Sequence, residues 1–342
     1  QKNFNTVLFD GNGSTNAVTG LGFQPDLIWG FTRSGSQSKR MIDSSRGGSS
    51  RIYSDIYNAA DTSQTAINSF DSDGFTANGG KFNNDSGKTC GAWCWRMNGG
   101  TTSSNSDGNV TTTVQANSAA GQSIVQWTGT ATNGRTLGTG LSKEAEFVMI
   151  KDLSSSSYYW ICYHKNANSG SKPGDYGVTF LNTNDAYTSG SGALTYWDIS
   201  EWTDSVFSVG GAAGVNTSGN SMLAYCFHSV EGYSKFGSYI GNGNNDGPFV
   251  YTGFRPRMIF LKRTDSTGSW HIFDSARNTF NVVNTYQLWD TSGTDDTAAS
   301  NAIDFLSNGF KVRNSAAGLN TSGADYIYGA WGDVPFKYNN TF

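Results

Sequence analysis

Residues 232–277 read GYSKFGSYIGNGNNDGPFVYTGFRPRMIFLKRTDSTGSWHIFDSAR. This stretch contains, in order, an aromatic and glycine-punctuated run, GF-x-P, a short apolar run, a turn and Trp-x-x-x-Asp. The same order occurs at the start of the chain, where residues 11–46 contain GNG, GLGFQPDLIW and RMIDSSR. A weaker version follows in GTGLSKEAEFVMIK (138–151) and YYWICYHK (158–165). The sequence therefore indicates one module written three times.

Matching positions keep their order in the three copies. They are Asp43, His164 and Asp274; Phe75, Phe207 and Phe310; Trp93, Tyr225 and Trp331. An Asn-x-Ser-Gly motif also precedes the last apolar run of each copy, at Asn84, Asn216 and Asn320. The spacing of the copies is too long for a solenoid repeat and suits a small domain.

These matches divide the chain into three predicted modules. We place them at residues 4–97, 122–230 and 231–338. Residues 98–121 are rich in Gly, Ser, Thr and Asn, and this composition predicts a linker or a long surface loop. No comparable segment separates the second module from the third, so we expect those two to pack tightly.

Each module has the pattern of an all-β fold, with short aromatic and β-branched runs between clusters of Gly, Asn, Ser and Asp. Asp73-Gly74 and Asn308-Gly309 lie between apolar residues and predict tight type I′ hairpins. The segment 298–306 could form a short helix.

The apolar runs DLIW (26–29), FVMI (147–150) and MIFL (258–261) predict strands that are covered on both faces. We therefore predict three tandem related β-sandwich modules, jelly-roll-like, with pseudo-threefold internal repetition. A six-bladed β-propeller is the alternative.

Composition and charge exclude several classes of function. Charged residues make up 15% of the chain and aromatic residues 14%, with 10 Trp, which favours an extracellular or virion β protein. The net charge of −4 and the scattered Lys and Arg predict no nucleic-acid partner. The apolar runs are short, so we expect no membrane insertion. The chain begins at Gln1, and we expect it to be a processed product or a fragment.

The four cysteines predict no cofactor or metal. Cys90 and Cys94 form a C-x-x-x-C pair without a second pair at metal-binding spacing, and Cys94 and Cys226 lie in matching apolar strands. Buried free thiols are the favoured interpretation, and a zinc site or a disulfide is the alternative.

The combination of several motifs resembles a known group of proteins. The motifs are GLGFQPDLIW, AWCW, AYCF with VEGYSKFGSYIGNG, DGPFVYTGFRP, LKRTDSTGSWHIFDSAR, IDFLSNGFK and PFKY. They are similar to uncharacterised domains of unknown function in virion and tail-fibre-type genes of marine tailed phages. The resemblance covers about residues 4–338 and implies a virion structural protein without implying an active site.

Two polar pairs repeat, Asp43 with Arg46 and Asp274 with Arg277, and His164 occupies the matching position of the second copy. They could present charge to a polar ligand such as a sugar. Repetition within a scaffold favours the structural interpretation, a local ion pair at a strand end. The scattered histidines support no Ser-His-Asp triad, so no catalytic residue is predicted.

Five aromatic residues stand beside small polar residues and are candidates for ligand binding. They are Tyr158, Tyr159, Trp197, Trp202 and Trp289. Exposed rings flanked by hydroxyl and amide groups suit glycan binding, because they combine stacking with directional hydrogen bonds. Burial between modules is the competing explanation.

Together these observations predict a non-enzymatic phage virion surface protein, located outside the cell. We expect a host-attachment module of a tail fibre that binds a glycan or receptor. A purely structural role, in capsid decoration or a fibre shaft, is the alternative, and a polysaccharide depolymerase is a third hypothesis. Expected partners are other virion proteins, a host surface glycan and, as a further assembly, a homotrimer.

Overall fold

The computed structural model describes residues 3–167, 177–189 and 195–332. Within these ranges the chain is nearly all β, with six antiparallel sheets and one short α-helix, α1 (Ala317–Asn320). Short 3₁₀ turns occur at Gly79–Lys81, Ser118–Ala120, Ile199–Glu201 and Ala299–Asn301. The prediction of an all-β fold is confirmed. The PFKY motif at 335–338 lies outside the described residues.

Module 1 consists of a main sheet and a small sheet. Its strands are β1 (Phe4–Asp10), β2 (Thr15–Thr19), β3 (Leu27–Thr32), β4 (Arg40–Asp43), β5 (Ile52–Tyr53), β6 (Ile67–Asp71), β7 (Gly74–Asn78) and β8 (Thr89–Trp95). The main sheet has the order β1-β8-β3-β4-β5, and the small sheet has the order β2-β7-β6.

Module 2 repeats the main sheet with two additional strands at one edge, and its small sheet has two strands in the described residues. Its strands are β9 (Ser103–Asn105), β10 (Thr112–Asn117), β11 (Gln122–Thr128), β12 (Arg135–Gly138), β13 (Phe147–Asp152), β14 (Ile161–His164), β15 (Thr179–Phe180), β16 (Val206–Val209) and β17 (Ser221–Phe227). The main sheet has the order β15-β14-β13-β17-β11-β10-β9, and β12 pairs with β16.

Module 3 follows the same plan. Its strands are β18 (Ser234–Ile240), β19 (Phe249–Tyr251), β20 (Met258–Arg263), β21 (His271–Asp274), β22 (Thr285–Leu288), β23 (Asp296–Thr297), β24 (Ile303–Leu306), β25 (Gly309–Val312) and β26 (Asp325–Trp331). The main sheet has the order β18-β26-β20-β21-β22-β23, and the small sheet has the order β19-β25-β24.

The strand registers establish which residues are equivalent. Asp43, His164 and Asp274 are the last residues of β4, β14 and β21. Each pairs with the first residue of the neighbouring strand, which is β3, β13 or β20. Phe75, Phe207 and Phe310 likewise occupy one position of the small sheets. These two sets of predicted matches are confirmed.

The third predicted set needs a correction at one member. Trp93 pairs with Trp29, Tyr225 with Met149, and Gly329 with Phe260, so Gly329 is the equivalent of Trp93 and Tyr225. Trp331 belongs to a different set, with Trp95 and Phe227, at the ends of the same strands.

Each module has its own core between its two sheets. In module 1, Ile28 on the main sheet packs in one cluster with Val18 and Phe75 from the small sheet. Leu27 and Trp29, which alternate with Ile28 along β3, belong to a different cluster. The strands β3, β13 and β20 are therefore buried on both faces, as the apolar runs predicted.

A central core joins the three main sheets. Trp29 of module 1 stacks on Trp289 of module 3 with ring centroids 4.3 Å apart, and Phe147 of module 2 contacts Phe260 of module 3 at 4.9 Å. The centre is thus filled with aromatic side chains from all three modules. A propeller has four-stranded blades around a central channel, so the propeller alternative does not describe these unequal, face-packed sheets.

Both predicted hairpins occur, with a different role for their glycines. The hairpins join β6 to β7 and β24 to β25. Neither Gly74 nor Gly309 has the positive φ of a type I′ turn. A β-carbon at Gly74 would instead collide with the carbonyl oxygen of Val18, and one at Gly309 with that of Val250. Glycine is required here because a third strand approaches closely.

Two other segments differ from their sequence interpretation. The range 98–121, interpreted as a linker or long loop, contains β9 and β10, which extend the main sheet of module 2. The range 298–306 forms one 3₁₀ turn followed by β24 rather than a helix. Pairing with β25 and the inward packing of Ile303 and Phe305 favour the strand there.

Candidate functional site

The repeated Asp–Arg pair of module 1 lies at the contact with module 2. The carboxylate of Asp43 is fully buried, and its Oδ2 accepts bonds from Nε of Arg46 at 2.6 Å and from the hydroxyl of Tyr225 at 2.8 Å. Burial next to this carboxylate raises the pKa of Tyr225 well above its ordinary value, so the hydroxyl stays a donor. The pair therefore links two modules in the interior.

The second Asp–Arg pair makes the matching contact between modules 3 and 1. Oδ2 of Asp274 accepts a bond from Nε of Arg277 at 2.7 Å and from the indole Nε1 of Trp93 at 3.0 Å. The guanidinium of Arg277 also lies 5.7 Å from the ring centroid of Trp93. A charge paired and hydrogen-bonded in this way can be buried without an isolated-ion penalty.

His164 completes the set between modules 2 and 3. Its Nε2 lies 3.1 Å from the carbonyl oxygen of Tyr328, next to Gly329, the residue that replaces the aromatic donor in module 3. A β-carbon at 329 would collide with the ring of Phe260, so no donor side chain fits there. With no such donor opposite it, an imidazole bonded to a backbone carbonyl replaces the aspartate.

These three contacts form a closed ring, module 1 to 2, 2 to 3 and 3 to 1. All the polar groups in it are buried and bonded to protein partners. Burial lowers the pKa of His164 to about 4, so the imidazole is neutral near pH 7. This geometry supports the structural interpretation of the repeated polar residues.

A buried lysine also crosses each seam between modules, where its ammonium group donates to a backbone carbonyl of the neighbouring module. The pairs are Lys151 to Tyr57 (3.2 Å), Lys262 to Asp185 (2.7 Å) and Lys39 to Thr291 (2.6 Å). Burial lowers the pKa of each lysine to about 8. The lysines therefore hold the seams while still charged at neutral pH.

Three of the five candidate aromatics are buried, which corrects their assignment to a ligand surface. Trp289 lies in the central core, 0% exposed, because it stacks on Trp29 of another module. Trp197 and Trp202 belong to the core of module 2, where both contact Tyr163. None of these three rings can stack on a surface ligand in this fold.

Tyr158 and Tyr159 lie at the seam between modules 1 and 2. Tyr158 is half-buried, and its carbonyl lies 3.4 Å from Nζ of Lys151. Tyr159 is 45% exposed and meets Tyr57 of module 1, 48% exposed, edge to face at 6.1 Å. We call Tyr57 and Tyr159 the seam tyrosine pair.

The seam tyrosine pair has a polar border and a fixed backbone. Ser154, Ser156 and Ser157 are exposed beside it. The hydroxyl of Ser156 accepts a bond from the backbone N–H of Ala59 at 2.9 Å, which fastens the loop of module 2 to module 1. The sequence pattern identified Tyr159 and missed Tyr57, because the two lie 102 residues apart and only the seam brings them together.

Two shallow polar grooves also open on the surface. One, of about 370 Å³, is lined by Arg96, Asn98, Asn117 and their neighbours between modules 1 and 2. The other, of about 380 Å³, is lined by Asn245, Arg313, Asn314 and adjacent small residues of module 3.

The described residues contain no cluster of three or more His, Cys, Asp or Glu that could hold a metal ion. All four cysteines are free and buried, as the favoured interpretation predicted. Burial raises the pKa of the Cys90 thiol to about 11. In the same described ranges, no helix is long and apolar enough to span a membrane.

A family match covers almost the whole chain. A family model described as a domain of unknown function, DUF7483, matches residues 1–335. The protein belongs to the DUF7483 family. No curated protein and no solved structure shows significant similarity to the chain. The family description names no activity.

Proposed function

We propose that this DUF7483 protein is a non-catalytic attachment module that binds a host-surface glycan through the seam tyrosine pair. The observation that carries the proposal is the edge-to-face contact of two half-exposed rings from different modules. An exposed phenol ring offers an apolar face and a hydroxyl, the combination that sugar rings require.

The border of the pair supports a sugar over an apolar ligand. The exposed hydroxyls of Ser154, Ser156 and Ser157 can donate hydrogen bonds to sugar oxygens, while those of Ser154 and Ser156 already accept backbone N–H groups of Ser221 and Ala59. Sites for small ligands generally combine apolar surface with a few polar groups that fix orientation. The serines supply such groups within one loop.

The rigid mounting of the pair also supports a binding role. Tyr159 contacts Phe180 at 5.3 Å, and the carbonyl of Tyr57 accepts a bond from the buried Lys151. Rings held in place before binding lose little conformational entropy when a ligand arrives. Preorganisation of this kind raises affinity without additional contacts.

The proposed setting is the surface of a tailed-phage virion, with other virion proteins as neighbours. The sequence resemblance and the scarcity of charge support this setting. The three modules around one core also suit a threefold position on a fibre or capsid.

The test is a glycan array of bacterial capsule and lipopolysaccharide glycans, probed with the wild type and with Tyr57→Ser/Tyr159→Ser. Wild type is expected to bind at least one glycan, and the double variant to bind it at least about tenfold more weakly. Phe280→Ser is the matched control, since Phe280 is 83% exposed and lies between β21 and β22 of module 3. Equal binding by the double variant and the wild type excludes the seam site.

A second candidate function is architectural, with the protein as a rigid part of the particle. The closed ring of Asp43, His164 and Asp274 contacts favours it, because it makes one body of three modules. Particles that lack the protein would then be unstable to heat yet adsorb to host cells at the wild-type rate. A loss of adsorption by intact particles would instead favour attachment.

A further inference from the structure

The outer face of the small sheet in module 3 carries two exposed aromatic rings. Phe249 and Tyr251 lie on either side of the buried Val250 on β19 and are 47% and 64% exposed. Residues two apart on a strand point to the same face, roughly 7 Å apart. We call Phe249 and Tyr251 the module 3 ring pair.

The other two modules show that the fold does not require these rings. Val250, Val18 and Leu137 are equivalent, because each pairs with the repeated phenylalanine of its small sheet. The residues that flank them are therefore equivalent too: Phe249, Ala17 and Thr136 on one side, and Tyr251, Thr19 and Gly138 on the other. The equivalent strands β2 and β12 form with small or polar residues at these positions, so folding does not explain the aromatic rings of β19.

Both rings lie against glycine. If Gly309 carried a β-carbon, that atom would lie 3.1 Å from Cε2 of Phe249. A β-carbon on Gly253 would lie 3.6–3.9 Å from the phenol end of Tyr251. Each ring therefore packs on bare backbone while much of it stays open to solvent. Two such rings on one strand make a short platform.

An ion pair borders the platform. Lys311 pairs across the sheet with Phe249, and its Nζ lies 2.7 Å from Oδ1 of Asp246, whose side chain is 78% exposed. The bond to Lys311 lowers the pKa of Asp246, so this carboxylate is ionised near neutral pH. An ammonium donor and a carboxylate acceptor thus lie next to the rings.

We infer that this platform, formed by the module 3 ring pair with Lys311 and Asp246, is a second carbohydrate-binding site. The inference rests on the proposed function, since it takes the ligand to be a glycan. Sugar rings stack on the two aromatic faces while their hydroxyls donate to Asp246 and accept from Lys311. The cores of protein interfaces are depleted of Lys and Asp, so the charges beside Phe249 favour a sugar over a protein partner.

Two sites on one rigid body have a consequence for affinity. The seam tyrosine pair lies between modules 1 and 2, and the platform lies on module 3. A polysaccharide that reaches both sites binds the second one intramolecularly, which strengthens binding without new contacts. A polymeric glycan long enough to span both sites is therefore the ligand class to test.

The experiment uses Phe249→Ala/Tyr251→Thr, which copies Ala17 and Thr19 of module 1 and so preserves the strand. Phe280→Ser is the control for loss of an exposed ring elsewhere in module 3. The probes are purified bacterial capsule and lipopolysaccharide chains, measured by biolayer interferometry on the full chain. The double variant is expected to bind at least about tenfold more weakly than wild type and the control to bind normally. Unchanged binding by the double variant overturns the inference.

A parallel measurement on Tyr57→Ser/Tyr159→Ser separates this site from the seam. If only the seam variant loses binding, the platform is overturned and the proposed function stands. If only the platform variant loses binding, the platform is supported and the seam site is overturned. If wild type binds none of the polysaccharides, the proposed function fails and this inference fails with it.

Discussion

The hydroxyl of Tyr225 in module 2 donates a 2.8 Å hydrogen bond to Oδ2 of Asp43 in module 1, and both residues are fully buried. The indole of Trp93 in module 1 makes the equivalent bond to Asp274 in module 3. Tyr225 and Trp93 occupy equivalent strand positions, and each donates to the carboxylate at a strand end of a neighbouring module. The modules are joined by a repeated polar contact inside an apolar core.

Tyr225→Phe tests the strength of this contact. The change removes one donor from a buried carboxylate and leaves the ring in place, so we expect the free energy of unfolding to fall by about 1–3 kcal/mol. Urea denaturation followed by tryptophan fluorescence measures the change. Tyr158→Phe is the control, since its half-buried ring lies at a surface seam. A loss below about 0.5 kcal/mol would show that the hydroxyl contributes little.

His164→Asp tests why the second module departs from its siblings. An aspartate here would face Gly329 rather than Trp or Tyr, and the position of Arg46 and Arg277 is occupied by Ala167. The carboxylate would be buried with neither an arginine nor an aromatic donor beside it, and with only backbone N–H groups such as that of Asn166 to bond to, so we expect a loss of about 3–5 kcal/mol of stability. The naive expectation from the repeat, that Asp fits this position best, predicts no loss.

A second substitution makes that test specific. Adding Ala167→Arg to His164→Asp restores the ion pair seen in modules 1 and 3 and should recover at least about half of the lost stability. Ala167→Arg in the wild-type background is the control. If the double variant is no more stable than His164→Asp, an absent partner is not the reason for the loss.

Much of this organisation was predictable because local chemistry repeats. Phe310 and the apolar strand β20 have counterparts in all three modules, and Gly309 has one in Gly74 of module 1; these residues determine registers, cores and two hairpins. The polar strands β9 and β10 were missed because Ser, Thr and Asn are typical of loops, and only pairing with β11 makes them strands.

Contacts between modules were harder to predict. Trp289 stacks on Trp29 across 260 residues of sequence, and no local pattern distinguishes it from an exposed ring. The sequence did contain a pattern that identifies Gly329, rather than Trp331, as the equivalent of Trp93 and Tyr225. Trp93, Tyr225 and Gly329 each lie nine residues after the first Asn of the Asn-x-Ser-Gly motif, so counting from the motif would have identified Gly329.

Two buried histidines, His164 and His271, predict that the protein loses stability in acid. Burial lowers the pKa of His164 and His271 to about 4, from 6.5 for an exposed histidine. Between pH 6.5 and pH 4 these histidines therefore bind protons in the unfolded chain and remain neutral in the folded chain. The free energy of unfolding falls as the pH falls through this range. Each histidine should contribute roughly 2 kcal/mol to the loss between pH 7.5 and pH 5.

His271→Gln isolates one of these contributions. Urea midpoints are measured at pH 7.5 and pH 5 for the wild type and the variant, and the difference between the two proteins cancels the other titrating groups. The variant should lose less stability on acidification, by roughly 2 kcal/mol. Equal losses in the two proteins would contradict a neutral, buried His271.

Ala131 is the only residue other than glycine with positive φ in the described chain, at 53°. Its equivalents are Gly13 and Gly243. The backbone N–H of each of the three residues donates to the backbone carbonyl oxygen of the Asn in the Asn-x-Ser-Gly motif of its module. Left-handed backbone costs a residue with a β-carbon more than it costs glycine. Ala131→Gly should therefore stabilise the protein by about 0.5–1 kcal/mol, even though the variant has fewer atoms.

The opposite sign is expected at a matched alanine. Ala119 is also exposed and lies within the Ser118–Ala120 3₁₀ turn with ordinary negative φ, so Ala119→Gly should destabilise by about 0.5–1 kcal/mol. Both variants are compared with the wild type by thermal and urea unfolding. If Ala131→Gly were destabilising like Ala119→Gly, backbone strain at 131 would be disproved. If Ala131→Gly stabilises the protein while Ala119→Gly destabilises it, the backbone at residue 131 is strained. Comparison with Gly13 and Gly243 then identifies a strained position that the contacts of Ala131 alone do not reveal.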